Sequence, residues 1–254
     1  ISQELSHFDI KLLPPDLNKS DIDFKIEGKD IRYGLNSIKG VSDKVLQALL
    51  EFREESFDNK YEVFLSAKQA ALNIGTLSAL IQAGLLDSFV SSNRCRLVLE
   101  AQTFNILTDR EKRNFLELGE KYNYDILAAV HDCFKTEAVG DDNRKLFTDK
   151  RFTTFKKKYD PYKNIYEMNK SHIKYANWFF EEKLLGYSYS YNVRQVFNHE
   201  EDFQSSEVIK DRENRSNVKF VGSVIDIMRR TSRNNNKYAR MQLQDECGVV
   251  NGLF

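Results

Sequence analysis

The chain has 254 residues and balances 38 Lys+Arg against 38 Asp+Glu, so its net charge is zero, which argues against a uniformly basic nucleic-acid coat. Hydrophobic content is 41%, ordinary for a globular protein, and no apolar run approaches the roughly 20 residues that span a bilayer. Cys95, Cys133 and Cys247 and the four histidines (His7, His131, His172, His199) are dispersed, with no Cys-x-x-Cys, so no metal site is expected and reduced thiols in a cytoplasmic protein fit best.

The first residue is Ile1 rather than Met, and Ile1–Ser20 has no apolar core behind a basic start. A fragment or processed product without a secretory leader is therefore expected. Residues 1–34 read as an extended lead-in and a hairpin. Pro14 and Pro15 lack an N–H and keep their predecessors out of helix, and "FKIEGKDIRYGL" alternates around Glu27-Gly28-Lys29. In "IRYGLNSIKGVSDKVLQALLEFRE", Leu35 to Ile38 predicts one helical turn. Gly40 takes a left-handed conformation without steric cost and Ser42 is a good N-cap. Val41 and Leu46 have the spacing of a hydrophobic staple, and Val45, Leu46, Leu49 and Leu50 form one stripe. "LNIGTLSALIQAGLLDSF", residues 72–89, repeats the pattern, with Leu77, Leu80 and Ile81 before Gly84 and Leu85, Leu86 and Phe89 after it. Residues 35–90 are thus expected to be a tandem helix-hairpin-helix.

Residues 91–186 read as mostly helical, with a polar, basic, aromatic loop near 138–165. Residues 187–216 read as an acidic linker. From Val218 the period is two, predicting three strands before and after the basic stretch Arg229–Lys237 and the turn Asp245-Glu246-Cys247-Gly248. The expected fold class is α+β multidomain: mainly α, followed over 217–254 by the start of an all-β domain. Two net-basic blocks, 140–175 and 217–254, flank the acidic linker and offer two places for a polyanion.

Taken together, "LLPPDLNKS", the hairpin stretch, "LNIGTLSALIQAGLLDSF", "EEKLLGYSYS" at 181–190, and "VKFVGSVIDIMRR" with "ARMQLQDECGVVNGLF" resemble the C-terminal half of the bacterial replicative DNA polymerase III alpha subunit, the family C polymerase. The order and spacing fit from about Phe8 to the end, with 91–170 matching loosely. The resemblance implies that residues 217–254 are the first three strands of a partial OB-fold. Such a fold needs about five strands to close, so a longer natural protein is expected. Two departures stand out. Gly40-Val41-Ser42 replaces the family's Gly-x-Gly, and Tyr191-Asn192 follows Ser190 where the family often has His-Pro. The Asn, Lys and Tyr content suggests a divergent bacterial or phage relative.

The resemblance places the palm carboxylates that hold catalytic Mg upstream of Ile1, so no cofactor and no catalytic residue is expected here. Asp141-Asp142 reads as a solvated turn, and no phosphate-binding Gly-rich loop, nucleophile elbow or His-Glu-x-x-His helix occurs. What remains is binding chemistry. Lys39, Gly40, Val41, Ser42 and Lys44 surround a helix N-terminus that suits a phosphate of duplex DNA; the competing reading is an ordinary helix connection with a solvent lysine. Arg229, Arg230, Arg233, Lys237 and Tyr238 suit single-stranded template, the competing reading being a soluble turn. Asn143, Leu146 and Phe147 resemble the family's sliding-clamp peptide, with Asn143 replacing the usual Gln; alternatively the apolar pair folds back onto the core. The expected function is the DNA-gripping C-terminal region of a replicative polymerase. A non-catalytic DNA- or RNA-binding adaptor with the same modules is the alternative.

Overall fold

The computed structural model describes residues 4–5, 8–88, 93–135, 147–197, 203–212 and 217–254. They form an α+β chain of two compact units, one comprising residues 14–27 and 32–173, the other 1–13, 28–31 and 174–254. Short strands β1 (Leu12–Leu13), β2 (Lys25–Glu27) and β3 (Asp30–Arg32) precede the helices, with Gly28 at φ +66° between β2 and β3.

A 3-10 turn at Leu35–Ser37 leads into helices α1 (Asp43–Arg53), α2 (Lys60–Gln69), α3 (Ile74–Gln82), α4 (Arg94–Ile106), α5 (Asp109–Glu117), α6 (Ile126–Lys135) and α7 (Asp149–Asn169). The caps explain most of the starts. Ser42, Asn59, Asn73, Asn93, Thr108 and Thr148 each accept a backbone N–H with the side chain, and Thr108 completes a capping box with Glu111. α4 packs on α2, α3, α6 and α7. Its Leu97 and Phe104 join Tyr61 and Phe64 of α2, Leu77 and Leu80 of α3, Val130 of α6 and Phe155 of α7 in the buried core. Two buried carboxyl groups, Glu100 and Glu111, have basic partners. Glu100 lies 2.7 Å from Lys60 and 3.1 Å from Arg96. Arg151 grips Glu111 through Nε and an Nη at 2.7 and 2.8 Å, tying α7 to α5. The proline lead-in is fastened too: Leu17 is fully buried and its N–H donates to Leu85 O.

In the other unit, α8 (Ile173–Leu185) is followed by the short helices α9 (Val193–Val196) and α10 (Ser206–Lys210) and by the antiparallel sheet β4-β5-β6 (Ser223–Thr231, Lys237–Gln244, Val249–Leu253). The buried Glu181 carboxylate explains the stretch after α8. It accepts from Ser188 Oγ, Tyr189 N, Ser190 N and Ser190 Oγ at 2.5–3.0 Å. Asp245 makes the β5–β6 turn, accepting from the N–H groups of Cys247 and Gly248, and receives Ser206 N and Oγ from the start of α10.

Three features differ from the sequence reading. α2 had no counterpart in it. The polar loop near 138–165 is helix from Asp149 onward, running through Pro161. The stretch 187–216 includes α9 and α10. No helix of the described residues is long and apolar enough to cross a membrane.

Candidate nucleic-acid interface

The turn before α1 is built as the residues dictate. Val41 N–H donates to Ile38 O at 3.1 Å, closing the chain around Gly40, whose φ of +92° is left-handed. A Cβ on Gly40 would meet nothing within 4 Å, so glycine is required there by the backbone and not by crowding. Ser42 Oγ accepts from Val45 N at 3.4 Å and Ser42 O from Leu46 N at 2.8 Å. The N–H groups of Asp43 and Lys44 are left without an intramolecular acceptor among the described residues. Lys39, Gly40, Ser42 and Lys44 are exposed and Val41 is half-buried. Neither Lys39 nor Lys44 forms an ion pair among the described residues, and Asp43 is the one acid in the first turn. Two exposed ammoniums, two open N–H donors and a positive helix end therefore meet at one small turn, a constellation that suits a phosphate.

The second hairpin is built alike but is chemically closed. Gly84 has φ +86°, and Leu85 N–H donates to Leu80 O, capping α3. Arg94, at the start of α4, is buried and held by both oxygens of Asp87. The two glycine turns look equivalent in the sequence; burial separates them.

The basic stretch 229–237 is less of a loop than expected. Arg229 and Arg230 belong to β4, Lys237 and Tyr238 to β5, and the connection is a tight turn in which Ser232 N donates to Asn236 O and Asn235 takes φ +61°. Arg230 pairs with Tyr238 and Met228 with Arg240, so these four share one face of the ribbon. Arg229 and Lys237 lie on the other face, and Arg233 is exposed in the turn. The five candidates are thus brought to one end of the hairpin but not to one face. Arg240, which sequence reading did not single out, joins Arg230 and Tyr238 by strand register.

Asn143 and Leu146 of the clamp-like segment lie outside the described residues. Phe147 is buried, with its ring 5.0 Å from Phe155 and 6.3 Å from Phe115. Of the two readings of this pair, Phe147 takes the one in which it folds back onto the aromatic core around α7. Asp245, Glu246 and Cys247 bring ligand-type atoms within 4.8 Å of one another, but the Asp245 oxygens already serve Ser206 and two backbone N–H groups. That donor set fits a structural turn and not a divalent ion.

Residues 9–97 match the family model described as a helix-hairpin-helix motif. Across 91 residues the chain is 36% identical to the DNA polymerase III subunit alpha of Thermus aquaticus, covering 35% of this chain and 7% of that protein. With the Aquifex aeolicus subunit it shares 36% over 94 residues. With that of Campylobacter jejuni it shares 24% over 250 residues, 95% of this chain and 18% of the relative. The chain is similar to part of the DNA polymerase III alpha subunit. It spans only a small part of the length of these relatives, and the matched family segment contains both glycine turns and the exposed lysines of the first.

Proposed function

We propose that this chain is a DNA-binding region of a polymerase III alpha-like protein acting in replication. The turn at Lys39, Gly40, Val41, Ser42 and Lys44 grips the duplex backbone, and the β4–β5 ribbon, as the start of an OB-fold, contacts single-stranded template. The observation that carries the reading is the exposed lysine pair at the N-terminus of α1, free of ion pairs among the described residues and inside the segment matched by a helix-hairpin-helix family. Contacts of this kind go to phosphate, so binding is insensitive to sequence and weakens with salt. On the ribbon, Arg230 and Tyr238 on one face supply charge and a stacking surface together.

Magnesium would serve a polymerase's catalytic centre, and no residue assigned here is asked to hold it. The same modules in a non-catalytic adaptor would bind alike; the reading frame surrounding this chain distinguishes the two. The clamp reading of residues 143–147 draws no support from the buried Phe147. The test is fluorescence anisotropy with unrelated duplexes across a salt series. Lys39→Ala is expected to weaken all of them about equally and to lower the salt slope by about one. Unchanged duplex binding would remove the assignment.

A further inference from the structure

Between α2, α3, α4 and α5 lies a cavity of about 280 Å³ whose walls include Phe64, Leu77 and Phe104. Lys112 of α5 also lines it, although the residue is 4% exposed. A lysine this buried normally has a firm partner. Here the ammonium makes no hydrogen bond to an oxygen among the described residues. It lies 5.4 Å from the centre of the Phe104 ring, and its nearest carboxylate, Asp109, is 4.0 Å away and itself exposed. That carboxylate is committed to Lys68, a second lysine of the same cavity, at 3.1 Å. Two ammoniums therefore share one acid, leaving a single positive charge over an apolar floor.

We propose that this cavity is a binding site for a monoanionic apolar acid, its carboxylate against Lys112 and Lys68 and its apolar body against Phe64, Leu77 and Phe104. The charge count selects a monoanion over a phosphate dianion, which Asp109 would repel. The aromatic and aliphatic walls select an acid with a ring or chain over a bare ion. Asn73 and Asn105 at the mouth offer amide donors of the right kind for a second carboxylate contact. Burial first, and then the Lys68 charge, hold Lys112 below the ordinary lysine pKa, a penalty that a bound anion offsets. The acid is either a free small molecule or the C-terminal carboxylate of a peptide ending in an apolar residue. The chemistry is shared, and the site does not depend on the DNA reading.

Benzoate serves as the probe, titrated into the intact chain while the Ile74 and Leu77 methyl signals are followed by NMR. Saturable shifts are expected at millimolar benzoate, with benzamide, its neutral counterpart, binding at least about tenfold more weakly. Lys112→Met, which keeps the stem and removes the charge, is expected to lose the preference for benzoate. A short peptide ending in Phe, compared with its C-terminal amide, tells the peptide source from the free acid. No saturable shift, or equal affinity for benzoate and benzamide in the parent protein, would overturn the site. That second comparison stands even where Lys112→Met unfolds.

Discussion

Single residues carry more of this structure than their types announce. Gly34 is the sharpest case. A Cβ there would stand 2.5 Å from the carbonyl carbon of Asp23 and 2.7 Å from Phe24 N, both backbone atoms that cannot turn away. The close approach is fixed by Leu35 N and Asn36 N donating to Asp21 O and Ile22 O. Gly34→Ala is therefore expected to destabilise by about 1–3 kcal/mol, seen as a lower urea midpoint. Gly40→Ala meets open space, and its cost comes only from the left-handed backbone, about 1–2 kcal/mol. Glu100 gives a pH signature. Burial, outweighing Lys60, raises its pKa from the ordinary 4.5. The native state then holds a proton that the unfolded chain has released, so this contribution is complete below pH 4.5 and is lost as pH rises through the folded-state pKa. The stability of the parent relative to Glu100→Gln should accordingly grow as pH is lowered from neutral toward 4.5 in urea melts. The opposite trend would show that the ion pairs, not burial, set this carboxyl.

At the scale of elements, legibility followed the number of faces an element buries. α1 and α3 each present a stripe, and their caps at Ser42 and Asn73 are read directly from residue type. α2 buries Tyr61, Val63, Phe64, Ser66 and Ala67, which are spread around the helix, so it shows no single stripe in the sequence. Pro161 and a run of lysines make the sequence of α7 resemble a loop. Its start is secured by the Thr148 cap, Arg151 on Glu111, and the stacked rings of Phe155 and Tyr159 at 5.5 Å. Pro161 falls beyond that anchored half, where Ile165 and Met168 are exposed. Replacing Pro161 with Ala should thus raise helicity by circular dichroism and stabilise the helix, by at most about 3 kcal/mol. A loss of helicity would mean that the proline is required by its surroundings. The buried cations are the other blind spot. Arg94 and Lys112 look like surface residues in the sequence, and only the packing of α4 and α5 shows that neither is free in solvent.

For the whole molecule, the fold class and the two glycine turns at Gly40 and Gly84 were legible, while the basic ribbon was not resolved into faces. Strand register decides that point: Arg230 and Tyr238 oppose each other across β4 and β5, whereas Arg229 and Lys237 occupy the reverse side. Since Lys39 and Arg230 belong to different compact units, their replacements should act on different ligands. Lys39→Ala is expected to weaken duplex binding and spare single strands, and Arg230→Ala with Tyr238→Ala to do the reverse, both read by anisotropy. If the ribbon variant lost duplex affinity instead, the single-strand assignment would fall.

The Glu181 carboxylate has a consequence for motion. Tyr189 and Ser190 belong to no helix or strand, yet their N–H groups point at a buried charge within 3.0 Å. Amide hydrogens in an irregular segment ordinarily trade with solvent quickly. These two are withheld from that exchange until the carboxylate lets go, so a stretch that looks like a flexible hinge in outline behaves as a clasp.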